Sequence, residues 1–439
     1  MKKANLLFVF AAFFAFVVSL WVVPKADAAP TFARQTGVAC STCHFQHFPA
    51  LNAFGRAFKA GGYTQVGGQS LIEGEDLSIP ATLNASLITK IRYQMTNGSD
   101  ASSTTTTNEG KIGKNKGELQ FPDEAALLIG GRAGEHIGFL LEAQLKNNTA
   151  PAFANFKMPI TFDAGGAKFG IIPFTTDGAG VAYGFELLNT GAISMHTTSA
   201  REGNNISAQS FIGVQVPAEG FAFIAYNETG FINLSLWAPM QGDVAAGTDF
   251  SHYIRVAATP NVAGWDFGIG GQYWGGETKV GDTDNTLSQI NVTQAWAVDA
   301  QAQGDVGLPL GVYLSYGVAG KPKNDGKTYT FNAYATDQKD KTAWSVLAEL
   351  GVLPGKVTLA AGYRSGDNGS AANNKDDAVI VGATYLLAQN VQLVLNHTSY
   401  SGSAYDKTDS TGALRSGPIS QAAGDGANSL TTLMLFAAF

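Results

Sequence analysis

Beyond residue 80 the chain alternates between apolar and polar residues. In 81–95 the odd positions read Ala81, Leu83, Ala85, Leu87, Thr89, Ile91, Tyr93 and Met95, while the even positions include Asn84, Ser86, Lys90, Arg92 and Gln94. A period of two gives an extended strand one apolar and one polar face. The pattern returns in 136–147, where Ile137, Phe139, Leu141, Ala143 and Leu145 oppose His136, Glu142, Gln144 and Lys146. It recurs in 292–303, 309–319, 342–350, 356–364 and 389–396. Strand segments therefore run from 81–95 to 428–439, with 153–162, 166–172 and 206–215 among them, and 174–205 fits a strand, an infolded loop or both.

Three features favour a transmembrane barrel over a soluble sandwich or propeller. The segments approach ten residues, the length a tilted strand needs to cross a hydrocarbon layer. Short connections such as Leu353-Pro354-Gly355 alternate with long polar ones at 96–118, 320–341 and 401–427, the pattern of periplasmic turns and external loops. The last segment puts Leu433, Leu435, Ala437 and Phe439 on one face. Bacterial single-chain barrels have even strand numbers. The expected fold is an all-β transmembrane barrel of about 16 antiparallel strands, with 18 next, over 76–439.

Residues 1–28 read as a signal peptide. Lys2 and Lys3 precede an apolar run from Leu6 to Val23, and Ala26-Asp27-Ala28 suits cleavage; an uncleaved anchor is the rival. Without this stretch the chain carries 25 basic and 34 acidic residues, a formal charge of −9, which argues against nucleic acid as a partner.

Between signal and barrel, 29–75 forms a small segment, mostly helical or irregular. Its centre is Cys40-Ser41-Thr42-Cys43-His44, and the chain has only 2 cysteines. C-x-x-C-H is the attachment signature of c-type haem: two thiols for the porphyrin vinyl groups, then a histidine for the iron. A redox dithiol would want a βαβ context, zinc would want more ligands nearby, and a structural disulfide is the third alternative. The motif points to one covalently bound haem c on Cys40, Cys43 and His44. Leu51, Phe54 and Phe58 recur at helical spacing after Pro49, so Phe54 and Phe58 are candidates to pack on the porphyrin. Arg34, Arg56 and Lys59 are candidates to pair with its propionates, against simple solvation. A segment this small cannot enclose a haem alone, and it should borrow walls from the barrel.

The sixth iron ligand is less legible. His47 sits too near His44 to reach the opposite face. His136 faces the lumen by strand parity, as does Met434, whereas Met158 faces lipid; His196, beside Met195, falls in the ambiguous stretch. His196 and His136 are the candidates.

The run around the motif comprises Pro30, Phe32 to Gly37, Cys40, Cys43-His44, Pro49, Leu51-Asn52, Phe54-Gly55-Arg56, Phe58-Lys59 and Gly62-Tyr63. It resembles the fused monohaem cytochrome–porins of iron-oxidising bacteria, with a weaker echo at Gly184 to Gly191. The resemblance implies an outer-membrane protein of a Gram-negative bacterium, its external loops at the cell surface and its haem segment in or just below the lumen. It implies an iron(II):cytochrome c type of electron transfer. Extracellular Fe(II) would be the donor and a periplasmic c-type cytochrome or similar carrier the acceptor, with outer-membrane lipid around the barrel. Lumen-facing Glu142, Asp299 and Glu349 would attract cations. Two other classes fit the same residues: a porin-like transport protein with a haem plug, and electron transfer running outward.

Overall fold

The computed structural model describes residues 30–75, 77–98, 117–145, 152–191, 205–241, 249–281, 288–321, 330–332, 334, 339–406 and 427–439. The signal at 1–28 and the candidate ligand His196 lie outside them. The barrel begins with β1 (Ala85–Thr96), β2 (Glu118–Arg132) and β3 (Gly138–Gln144). β4 is interrupted (Ala152–Lys157, then Ile160–Ala164), and β5 (Ala167–Thr176) pairs with both parts. Next come β6 (Ala218–Asn227), β7 (Gly230–Ala238) and β8 (Ser251–Ala258), the last extended by Asn261–Val262. The series continues with β9 (Trp265–Gly275), β10 (Ala295–Asp305), β11 (Pro309–Ala319), β12 (Lys341–Leu353) and β13 (Val357–Asp367). It ends with β14 (Asp377–Ala388), β15 (Val391–Ser401) and β16 (Ser429–Ala438). β16 pairs antiparallel with β1, from Leu430↔Thr96 to Ala438↔Ile88, and closes the ring at 16 strands. Closure leaves the barrel itself without an unpaired edge.

Burial is inverted relative to a soluble protein. On β7, Ile232, Leu234 and Leu236 are 42%, 48% and 45% exposed, while the intervening Asn233 and Ser235 are buried at 0% and 2%. The same inversion sets Trp296 and Val298 outward on β10 and Asp299, Gln301 and Gln303 inward. An apolar exterior around a fully hydrogen-bonded strand ring is the form that hydrocarbon surroundings demand. Outside, Tyr273↔Trp296 and Tyr316↔Trp344 are register partners, and the Trp296 and Tyr316 rings lie 5.4 Å apart. They make an aromatic row towards the long connections, where such girdles meet the membrane–water boundary. No helix among the described residues is long and apolar enough to cross a membrane.

The connections alternate as expected. Gly165-Gly166, Glu228-Thr229, 306–308, 354–356 and 389–390 are short turns at one mouth. The connection between β5 and β6 turns inward. The alternation of Ile206, Ala208, Ile212 and Val214 suggests a strand at 206–215, but this stretch forms a short helix, Ala208–Phe211, inside the lumen. The Ser207 side chain caps it by accepting from the Ser210 N–H at 3.0 Å, and the Ala208 N–H donates to the Ser315 and Ser345 hydroxyls. Its apolar residues are buried by the lumen's own filling, so their period carried no strand information. Phe185, Leu187, Leu188, Ile206 and Ile212 are all fully buried. Beside them Arg255 is held between Glu186 at 2.9 Å and Asp299 at 2.6 Å, a buried pairing that anchors the infolded loop to β8 and β10.

The N-terminal segment contains helices α1 (Thr31–Thr36), α2 (Cys40–Cys43) and α3 (Ala53–Ala60), then a hairpin of Leu71–Gly74 with Leu77–Pro80. Gly37 ends α1 in the left-handed conformation at φ 73°. The segment packs into the short-turn mouth. Gln35 donates to the Tyr63 and Gln65 carbonyls, and its own oxygen accepts from the Arg132 N–H at 2.9 Å. Arg56 makes a paired ion contact with Asp266 on β9 at 2.7 and 2.6 Å. His47 Nε2 meets Glu349 Oε2 on β12 at 3.1 Å with both side chains buried. Gln46 donates to the Glu349 and Pro309 carbonyls.

Candidate functional site

Two cysteines and a histidine are brought to one wall of a cavity by a single helical turn. α2 is followed by a loop that returns on itself: Phe45 N–H donates to the Ala50 carbonyl at 2.8 Å and Asn52 N–H to the Cys43 carbonyl at 3.0 Å. The Asn52 side chain then caps α3 by accepting from the Gly55 N–H, and donates to the Thr42 carbonyl. Gly55 permits this packing, because a Cβ there would lie 2.2 Å from the Cys43 carbonyl oxygen. α3 therefore rests directly on the backbone of α2.

Cys40 and Cys43 are free, half-buried and open to the cavity. Burial pushes both thiols above their ordinary value, with Cys40 adding a smaller effect on Cys43. Burial also pulls the His44 imidazole down to about 4, against the opposing hydrogen bonds of Ala50 and Pro49, so the ring is neutral at pH 7. Its Nδ1 lies 3.3 Å from the Ala50 carbonyl. When Nδ1–H donates there, Nε2 keeps the lone pair that a metal requires.

The cavity holds about 450 Å³, in the range of cofactor sites. The segment supplies Phe32 and Phe58, whose rings lie 5.2 Å apart; the barrel supplies Ile88, Leu128, Leu140 and Phe436. The infolded loop supplies Leu187, Leu188 and Asn189. Asn189 fastens this wall, accepting from the Leu51 N–H at 2.8 Å and donating to the Leu51 carbonyl at 2.9 Å. The stretch Gly184 to Gly191, separated by over a hundred residues from the cysteines, thus forms the facing wall. Two thiols, a neutral imidazole and a mainly apolar cavity fit a covalently bound haem.

The other candidates divide. Phe58 lines the cavity, but Phe54, one turn earlier on the same face of α3, is 41% exposed and lies outside the cavity lining. Lys59 lines the cavity; burial pushes its ammonium down, opposed by the charge of Glu186. Arg56 is committed to Asp266, and the Arg34 guanidinium donates to the Ala85 carbonyl, so neither side chain reaches the cavity lining. His136 is not brought to the site: β3 starts at Gly138, leaving His136 exposed in the preceding turn with its ring beside Phe162. Met434 faces inward and is fully buried, packed with Val394 and Phe436. Glu142, Asp299 and Glu349 do point inward, yet Asp299 and Glu349 are already paired with Arg255 and His47.

Among the polar cavity residues, Lys157 and Tyr183 escaped the sequence reading, and Glu186 entered it only within the weaker echo. Lys157 is buried, and its ammonium donates to the Tyr183 carbonyl at 2.9 Å above the Tyr183 ring. Strand parity held the signal, since outward-facing Met158 puts its neighbour Lys157 inside. Tyr183 and Glu186 belong to the ambiguous 174–205 stretch, which had no period to follow.

Among solved structures, the chain is similar to the outer membrane channel DcaP of Acinetobacter baumannii. Identity is 11% over 82% of this chain and 97% of that one, with a TM-score of 0.47. It is also similar to OmpT, an outer membrane protein of Vibrio cholerae, at 12% identity over 84% and 100% with a TM-score of 0.45. A mutant Rh. blastica porin gives 12% identity, 82% and 100% coverage and a TM-score of 0.46. These likenesses are loose, and the barrel stands on its own strand pairing. No protein-family model matches the chain, and no curated protein matches it.

Proposed function

We propose that this chain is an outer-membrane c-type cytochrome built into a porin-like barrel, taking electrons from extracellular ferrous iron for a periplasmic carrier. The observation that carries the reading is the joint placement of Cys40, Cys43 and neutral His44 on a cavity of cofactor size. A bound haem c supplies reversible one-electron chemistry at a potential set by ligation and burial. The chain's own residues do the rest. Cys40 and Cys43 offer thiols for attachment, and His44 offers Nε2 to the iron, oriented through Ala50. Phe58, Leu128 and Leu140 keep water from the cavity. The barrel provides passage across the membrane for charge while ferric product stays outside. Support for the donor comes from the resemblance over Pro30 to Tyr63.

A second reading, transport through a haem-plugged barrel, is favoured by the strand number, since 16-stranded barrels enclose channels. One experiment separates them. Purified protein should carry haem that stays with the chain under denaturing conditions, and ferrous iron should reduce it without oxygen. Covalent haem that ferrous iron leaves oxidised, with open single-channel conductance, would favour transport.

A further inference from the structure

Two lysines share the cavity with the cysteines, and their cationic ends are poorly neutralised. Lys59 comes from α3 and Lys157 from β4; both line the cavity, and their charges lie close enough to repel. Lys157 is 4% exposed. Among the described residues its ammonium makes one hydrogen bond, to the Tyr183 carbonyl, and stands 4.3 Å from the Tyr183 ring centre and 5.9 Å from that of Tyr63. The Lys59 ammonium makes no hydrogen bond or ion pair among the described residues and feels only the charge of Glu186 from a carboxylate. The Tyr183 hydroxyl, also at this wall, is buried without a hydrogen-bond partner among the described residues.

The nearby carboxylates do not balance these charges. Glu186 accepts from the Leu187 and Leu188 N–H groups and is paired with Arg255. Glu142 is held by Asn155 at 2.9 Å and Gln144 at 3.1 Å. Buried ammonium groups are costly unless an anion pairs with them. The buried Lys157, the half-buried Lys59 and the Tyr183 hydroxyl, facing one cavity, are complementary to a ligand with two carboxylates.

We propose that Lys59 and Lys157, assisted by the Tyr183 hydroxyl, form a dicarboxylate-binding end of the cavity that takes the two haem propionates. The inference rests on the haem reading above. It replaces Arg34 and Arg56 as propionate partners and makes Lys157 and Tyr183 positioning residues. It also explains why α3, β4 and the infolded loop meet at this point: each brings one polar group to an otherwise apolar wall.

The test uses the full-length haem-loaded protein with Lys59→Gln, Lys157→Gln and their arginine counterparts. Positive charge beside the haem favours the reduced state. Each glutamine variant should therefore retain covalent haem but shift its equilibrium towards oxidation by about tenfold, which is about 59 mV for a one-electron couple. Redox-difference infrared spectra should show the propionate carboxylate bands displaced, and arginine should restore both readings. Unchanged potentials and carboxylate bands in both glutamine variants would overturn the proposal. So would a Lys59→Gln protein that loses a nitrogen-ligated low-spin spectrum, because Lys59 would then be an iron ligand. Absence of covalent haem from the wild-type chain would instead sink the underlying reading, and this inference with it.

Discussion

At the residue scale, burial keeps the His44 ring neutral, the form that the proposed haem iron would need. Its folded value of about 4 lies below the ordinary 6.5 because burial disfavours the cation. The unfolded chain therefore binds a proton more readily between those values, and stability falls as acid is added across that window. In a haem-free Cys40→Ser/Cys43→Ser chain, the protection of amides in 44–52, taken relative to the unfolded exchange rate at each pH, should stay high above pH 6.5 and fall steadily towards pH 4. A flat profile would mean that the ring is already solvated. In the loaded protein, His44→Ala or Cys43→Ser should abolish a normal c-type absorption spectrum; a His44→Ala protein with unaltered, reducible haem would remove His44 from the iron. A third residue-scale outcome concerns Asp266. Its loss in Asp266→Ala leaves Arg56, 4% exposed, without its anion. Stranding one member of a buried pair costs about 3–5 kcal/mol, less here because Asp266 is partly solvated. Limited proteolysis should cut the 30–80 segment faster in that variant than in wild type, with barrel strands still resistant.

At the scale of elements, the strands were legible where one face met lipid and the other a polar lumen. Ile232, Leu234 and Leu236 against Asn233 and Ser235 leave no doubt about period. The same rule misled at 206–215, because Ile206 and Ile212 are buried by lumen filling and answer to no lipid face. The cysteines and histidine were legible because their spacing is local. The stretch Gly184 to Gly191 stood out only as a weaker echo, and its place against the cysteine segment was not legible, since only the closed ring brings Asn189 to Leu51. Phe54 failed for a related reason: helical spacing names the face it shares with Phe58, but not how far along α3 the cavity reaches. Connection lengths give a prediction of orientation. A cysteine introduced at Ser370, in the long connection after β13, should react with an impermeant reagent on intact cells, whereas one at Gly355 should not. Labelling at Gly355 alone would reverse the barrel in its membrane.

At the scale of the molecule, two bodies occupy the lumen in series. The N-terminal segment fills the short-turn mouth through Gln35, His47 and Arg56. The infolded loop between β5 and β6 lies beyond it, where Phe185, Leu187, Leu188 and Ile212 pack against Trp237, Tyr253 and Trp274 from the wall. Resistances in series add, so the current is governed by whatever obstruction remains. Deleting 30–80 while keeping the signal should therefore raise single-channel conductance only modestly. Deleting 180–214 as well should give a much larger step, towards that of an open 16-stranded channel. Each barrel would first be shown by circular dichroism to retain its strands, since Asp266, Glu349 and Asn189 all lose partners in the first deletion. The wall argument adds a spectroscopic arm. Because Leu128, Leu140 and Leu188 close sides of the cavity that the segment cannot close itself, segment 30–80 made alone with haem attached should bind carbon monoxide or imidazole readily. The whole protein should bind them more weakly or more slowly. Full conductance after deletion of 30–80 alone, together with equal ligand binding by segment and whole, would mean that the infolded loop is no barrier. The cytochrome would then be merely tethered to a pore, with its electrons travelling outside the lumen.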